Sequence, residues 1–257
     1  MTENENSPEN LRKFLESDDP AMRRMGLSMA KGSGVPEELN YYVLAIAKWD
    51  PEEENRKTAK ELVDNHSESL LTEEERIEWE HIGDDDLWGS KLLAKIVKEA
   101  MNNFPENWRN IYIDLYRESG NMLGFWEALE SFGDKDKKEI IVEICEDEYP
   151  ECDTSDTHCT AVWSLSEMGN ERDIETVFDS FRRAVYMEYE GIEDWMDALY
   201  TIVKRHKKGE GILIELIKEC DDHFTLWYLI GNHFEDGKDV AKEAIKEMGM
   251  DPELDPW

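Results

Sequence analysis

The chain has 257 residues, 62 of them acidic and 29 basic, for a formal net charge of -33. A hydrophobic fraction of 40% with nine Trp is too high for a disordered acidic tail and is enough for a substantial core. The charge disfavours a nucleic-acid interface built on a basic footprint, because a field of this sign repels phosphate backbones.

The acidity is spread evenly, with net charges of -10, -11 and -12 over residues 1–80, 81–160 and 161–257. General solubility or adaptation to a salty interior explains an even spread, and recognition of a basic partner is the sharper alternative. Lys (18) outnumbers Arg (11), which does not fit the Lys depletion of strong salt adaptation. The N-terminal residues carry no basic-then-apolar leader pattern. The longest stretch free of charged residues, His223 to Phe234, is 12 residues, short of the roughly 20 that span a bilayer. Four Cys do not make a disulfide framework, so a reduced, cytoplasmic protein is expected.

Taken in chain order, the elements are helices. Leu11, Phe14 and Leu15 mark the first, and Asp19-Pro20 stops it and starts a second. Met22, Met25, Met29 and Ala30 are the expected apolar side of that second helix, which ends at Gly32 to Pro36. A third runs from Glu37 to Trp49 on Leu39, Tyr42, Val43 and Ile46. Asp50-Pro51 repeats the earlier turn 31 residues on. Ser67 to Glu78 reads as a longer connection. Sustained period-two alternation is nearly absent, so no sheet is expected.

A recurring apolar anchor follows on every second helix: Met29, Leu62, Leu93, Leu129, Leu165, Leu199 and Leu229, at intervals of 33, 31, 36, 36, 34 and 30 residues. Ala128 to Asp134 and Ser164 to Asn170 are one phrase shifted by 36, each a helix end with Gly133 or Gly169 at an expected left-handed cap. The spacing predicts an all-α array of about seven helix pairs over residues 9–249, each covering its neighbours' apolar sides. Residues 1–8 are expected to be a flexible N-terminus and residues 250–257 an acidic tail.

Two segments resemble HEAT repeats. Asp19-Pro20-Ala21-Met22-Arg23 looks like their Asp-Pro-x-x-Arg opening, and Leu165 to Arg172 is similar to the turn of the short, phycobilisome-lyase-type repeats. Asp50-Pro51 departs from the pattern, with two extra residues before Arg56. The resemblance implies a right-handed α-α superhelix, a HEAT-like solenoid, and a binding role, and it brings no catalytic residues with it.

Trp is concentrated near the anchors, at Trp88, Trp126, Trp163, Trp195 and Trp227. Trp126 and Trp195 precede their anchors by three and four residues and are expected in the core. Trp163 and Trp227 precede theirs by two, which turns them away from the anchor face. Trp163, among polar neighbours that include Glu167, is the leading surface candidate, since Trp is enriched in binding hot spots. Packing under adjacent repeats is nonetheless the favoured reading for it, and more so for Trp227, beside Phe224 and Ile230. Cys145, Cys152 and Cys159 stand seven apart with His158 beside the last. Thiolates and imidazole suit zinc, but the spacing lacks a close Cys pair, so an acidic loop from Glu146 to Asp156 is the expected reading. Asp84 to Gly89 fails as a calcium loop, because Trp88 occupies a ligand position.

Lys204, Arg205, His206, Lys207 and Lys208 form the only basic run. It is read as a cap on the negative end of its own helix, with a phosphate or acidic-peptide contact as the functional alternative. No phosphate loop, nucleophile elbow or zinc-protease motif is present. The expectation is therefore a non-catalytic scaffold or adaptor without cofactor or metal. It would bind a basic protein or peptide on a concave face, through Trp163, Glu167, Trp227, Lys204, Arg205, Lys207 and Lys208. Membrane and nucleic acid are not expected partners. The alternatives are a HEAT-like enzyme of the alkylpurine DNA glycosylase or bilin lyase type, and an acidic nucleic-acid mimic or chaperone.

Overall fold

In the computed structural model every regular element is helical. The structure describes residues 8–81, 90–119, 122–146, 155–188, 191–231 and 235–252, and no strand occurs among them. Residues 1–7, the Asp84 to Gly89 loop with Trp88, Cys152, most of the acidic loop after Glu146, and 253–257 of the tail lie outside the described residues. None of the described helices is long and apolar enough to cross a membrane. The chain divides into two compact units, Met1–Phe132 and Gly133–Trp257.

The first unit begins with α1 (Pro8–Leu15), α2 (Pro20–Ser33), α3 (Asn40–Trp49, preceded by a 3-10 turn at Glu37–Leu39) and α4 (Glu53–Leu70). It continues through α5 (Glu73–Glu80), α6 (Lys91–Asn103), a second 3-10 turn (Pro105–Asn107), α7 (Trp108–Ser119) and α8 (Leu123–Leu129). Two hairpins, α1–α2 and α3–α4, stack through α2 and α4. Leu39, Tyr42, Val43 and Ile46 are all buried, as the third-helix pattern predicts. Each such apolar side chain contributes roughly 1.5–3 kcal/mol on burial.

The apolar side expected of α2 holds at Ala30 and is corrected at Met22 and Met25. Met22 is 37% and Met25 51% exposed, while Arg23, Gly26, Leu27 and Ala30 face inward. Two local facts turn the helix this way. Arg23 donates to buried Asp50 through Nε (2.6 Å) and Nη2 (3.0 Å). A Cβ on Gly26 would come within 2.9 Å of the Leu15 side chain, so only glycine lets α1 lie this close.

The two Asp-Pro turns are not equivalent either. Asp19 is the N-cap of α2 and accepts from the Ala21 N–H at 2.9 Å. Asp50 sits two residues before Glu52, the N-cap of α4, fully buried. Arg23 Nη1 grips the carbonyls of Ser17 (2.8 Å) and Asp18 (3.0 Å), six and five residues back. Arg56 Nη1 grips those of Asp50 (2.6 Å) and Pro51 (3.2 Å) at the same two offsets. The hairpins therefore superpose in sequence with a shift of 33, the Met29-to-Leu62 interval, and not with the Asp-Pro shift of 31.

Residues 67–78 are not simply a connection. A capping box between Thr72 and Glu75 starts the extra helix α5. After it, α6 packs on α3 and α8. Leu93 is buried, but on a helix that covers a first helix of a pair rather than extending the α2–α4 row.

The second unit comprises α9 (Asp134–Glu146), α10 (Ser155–Met168), α11 (Asp173–Tyr186), α12 (Ile192–Arg205), α13 (Gly209–Glu219), α14 (His223–Gly231) and α15 (Glu235–Glu247). Hairpins α9–α10 and α11–α12 stack on both rows, α9 on α11 and α10 on α12. Beyond them α13 packs on α11, α12 and α15, and α14 on α11 and α15. Leu165, Leu199 and Leu229 are all fully buried. The left-handed cap expected at Gly133 and Gly169 is absent; positive φ among glycines occurs at Gly34, Gly191 and Gly249. Gly169 is required for a different reason, since a Cβ there would lie 2.5 Å from the Leu165 carbonyl oxygen.

Candidate functional site

Helix α12 buries Ile192, Trp195, Met196, Leu199, Ile202 and Val203, and ends where His206 turns extended. The chain then enters α13 at Gly209, where a Cβ would meet the Val203 carbonyl oxygen at 2.1 Å. This tight corner spreads the basic run in three directions.

Arg205 and His206 reach back to the preceding hairpin. Arg205 Nη1 donates to the Ser166 carbonyl near the end of α10, and His206 Nε2 lies 3.2 Å from the Gly169 carbonyl. They cap a neighbouring helix with orphan carbonyls, which corrects the expectation that the whole run caps its own helix. Lys204 stays local, pairing with Glu210 at 2.6 Å and lying 5.5 Å above the Tyr200 ring. Lys207 and Lys208 are exposed and point along α13. With Gly211, Ile212, Glu215, Leu216 and Glu219 they line a trough of about 550 Å³.

Ser166 also donates its hydroxyl to the Trp163 carbonyl at 2.7 Å within α10, where Trp163 is half-buried and Glu167 exposed. Trp227 is half-buried on α14, a helix that packs on α11 and α15. Trp195 is in the core as predicted, while Trp126 is half-buried with Phe125 edge-on at 5.4 Å.

Arg183 is engaged in the same way as Arg205. Arg183 donates to the carbonyls of Cys145 (3.2 Å) and Glu146 (3.4 Å) at the end of α9. The Ser180 hydroxyl reaches the Cys145 carbonyl at 3.3 Å, and the His158 ring bonds the same oxygen. Burial pushes the Cys145 thiol far up, away from the thiolate form that a metal needs. Burial, seconded by the Arg183 charge, lowers His158 to about 4. Cys159 is half-buried, and no three metal-ligating side chains cluster among the described residues.

The face of α13 that the trough exposes was not singled out from sequence. Its signal lies in Gly211, Ile212, Glu215, Leu216 and Glu219, spaced i, i+1, i+4, i+5, i+8 on one helical face. Compared with known protein families, curated proteins and solved structures, the chain matches none.

Proposed function

We propose that this chain is a non-catalytic helical scaffold of HEAT-like stacked hairpins that holds a basic protein or peptide on its acidic surface. One observation carries the reading. Residues 133–257 hold 33 acidic and 14 basic side chains, and six of the basic ones are committed inside the unit. Arg183 and Arg205 cap helix ends. Lys138, Arg182, Lys204 and Lys218 pair with Asp173, Asp221, Glu210 and Glu215. Among the described residues, carboxylates such as Glu167, Glu175, Asp179 and Glu193 face solvent on a framework fixed by packing, which lowers the ordering cost of binding. Complementary charge then speeds encounter and selects cationic partners.

The test is purification from native cells at low salt with stepwise salt elution, followed by titration of each purified co-eluting protein against the chain. The proposal expects basic partners whose affinity falls steeply as ionic strength rises. Neutral or acidic partners that hold unchanged through high salt would overturn it.

A further inference from the structure

The sequence Gly209-Glu210-Gly211 contains two glycines with opposite surroundings. Gly209 is forced by the Val203 carbonyl, whereas a Cβ on Gly211 would meet nothing within 4 Å. Glycine weakens a helix relative to alanine, so the fold of a single chain gives no reason for Gly211. It opens onto the α13 trough, whose charges are polarised along the helix. Exposed Lys207 and Lys208 stand at the start, exposed Glu219 and Glu215 (the latter paired with Lys218 at 2.8 Å) in the second half, with half-buried Ile212 and Leu216 between.

We propose that a second copy of this chain occupies the trough, with two α13 helices packed antiparallel about a two-fold axis. Helical geometry sets the register. When the axis passes beside residues 213 and 214, Glu219 of each copy faces Lys208 of the other. Leu216 of each then drops onto the other's Gly211, where no side chain stands in the way. Contacts of this kind occur twice by symmetry, as an isologous interface requires. The pattern is complementary to itself without any further sequence, which singles out a second copy over an unrelated helix. At physiological salt the repulsion between two acidic copies is confined to about 8 Å, so the local pairs decide the outcome. An interface centred on one helix is small, so the expected dimer is in the micromolar range.

Sedimentation velocity of the full chain up to about 100 μM tests this. The expected result is a reversible shift from 30.1 kDa to twice that mass. Lys207→Glu/Lys208→Glu and Glu215→Lys/Glu219→Lys are each expected to weaken the dimer about ten-fold or more, and an equimolar mixture of the two to restore it. Gly211→Leu should weaken it about ten-fold by filling the notch, while the thermal midpoint of the dilute monomer stays equal or rises. A chain that remains monomeric throughout the range overturns the proposal. So does a dimer that both charge reversals leave intact, or a mixture that fails to restore association when circular dichroism shows both variants folded.

Discussion

Both units set arginines on backbone carbonyls where consecutive hairpins meet, and the first adds a buried carboxylate. In the first, the Arg23 guanidinium, 3% exposed, meets the carboxylate of Asp50, which is 0% exposed. Asn55 Nδ2 (3.3 Å) and the Glu52 N–H (2.9 Å) bond the same carboxylate, and the Phe104 ring centroid lies 5.2 Å from the guanidinium carbon. In the second, Arg183 and Arg205 donate to the carbonyls that end α9 and α10. A guanidinium on a helix end is attracted by the dipole and stays in touch with water. A buried ion pair gives up water on both sides, so each partner depends on the other. The difference predicts that one job, tying a hairpin to the one before it, carries a larger mutational penalty in the first unit than in the second.

The largest expected effect tests the first half of that contrast. Asp50→Ala strands the Arg23 charge inside the first unit and should cost about 3–5 kcal/mol in chemical denaturation. Arg23→Met with Asp50→Asn removes both charges while keeping an acceptor for Asn55, and should recover at least half of the loss. Equal losses for the single and double variants would mean that the stranded guanidinium charge is not the source of the penalty.

Acid separates the units next. His158 on α10 is held at about 4, against an ordinary 6.5, by burial and then by the Arg183 charge, opposed by its bond to the Cys145 carbonyl. A depressed imidazole favours the neutral folded form. Its stabilisation is complete above about pH 6.5 and is lost as pH falls through about 4, up to about 3 kcal/mol in all. In the first unit the sensitive group is Glu75. Burial raises it, but the Thr72 N–H, the Tyr41 hydroxyl and the Lys95 ammonium together hold it at about 2. That contribution is present above about 4.5 and fades toward about 2, and solvent at the Lys95 end keeps it small. Hydrogen exchange read peptide by peptide should therefore show residues 155–186 loosening between pH 6.5 and 4 before residues 41–80 do. His158→Phe should remove that early loosening; loosening that persists would place its origin elsewhere.

These contrasts also show what the sequence made legible. Helix class and anchor spacing were readable because apolar periodicity is a local property, and six anchors from Leu62 to Leu229 are buried. The half-exposed Met face of α2 was not, because the inward face is chosen by a charge, Arg23, and by an approach of Leu15 to Gly26. Composition gives no hint that an Arg will be buried, since its partner Asp50 is 27 residues away. The extra helix α5 was hidden inside an acidic stretch, although Thr72 and Glu75 carry the capping-box pattern. Of the candidate binding residues, the basic run was legible as a unit but its division was not. Which cation turns back to α10 and which lines α13 is fixed by the corner at Gly209.

The smallest effect expected is the division of that run, and it probes the second half of the contrast. Arg205→Ala removes a charge-assisted bond to the Ser166 carbonyl and leaves the end of α10 to water. The bond is partly solvated, so the expected loss is about 1–2 kcal/mol. Lys207→Ala and Lys208→Ala touch no such acceptor and should stay within about 0.5 kcal/mol in the dilute chain. Arg205→Lys is the finer probe, because an ammonium on a shorter fork reaches a carbonyl with less directional donors and should recover only part of the loss. If Arg205→Ala were as silent as Lys207→Ala, the capping contact would contribute nothing to the second unit. If it cost as much as Asp50→Ala, the carbonyl-bound guanidinium would be as tightly coupled as the buried ion pair, and the distinction between the units would disappear.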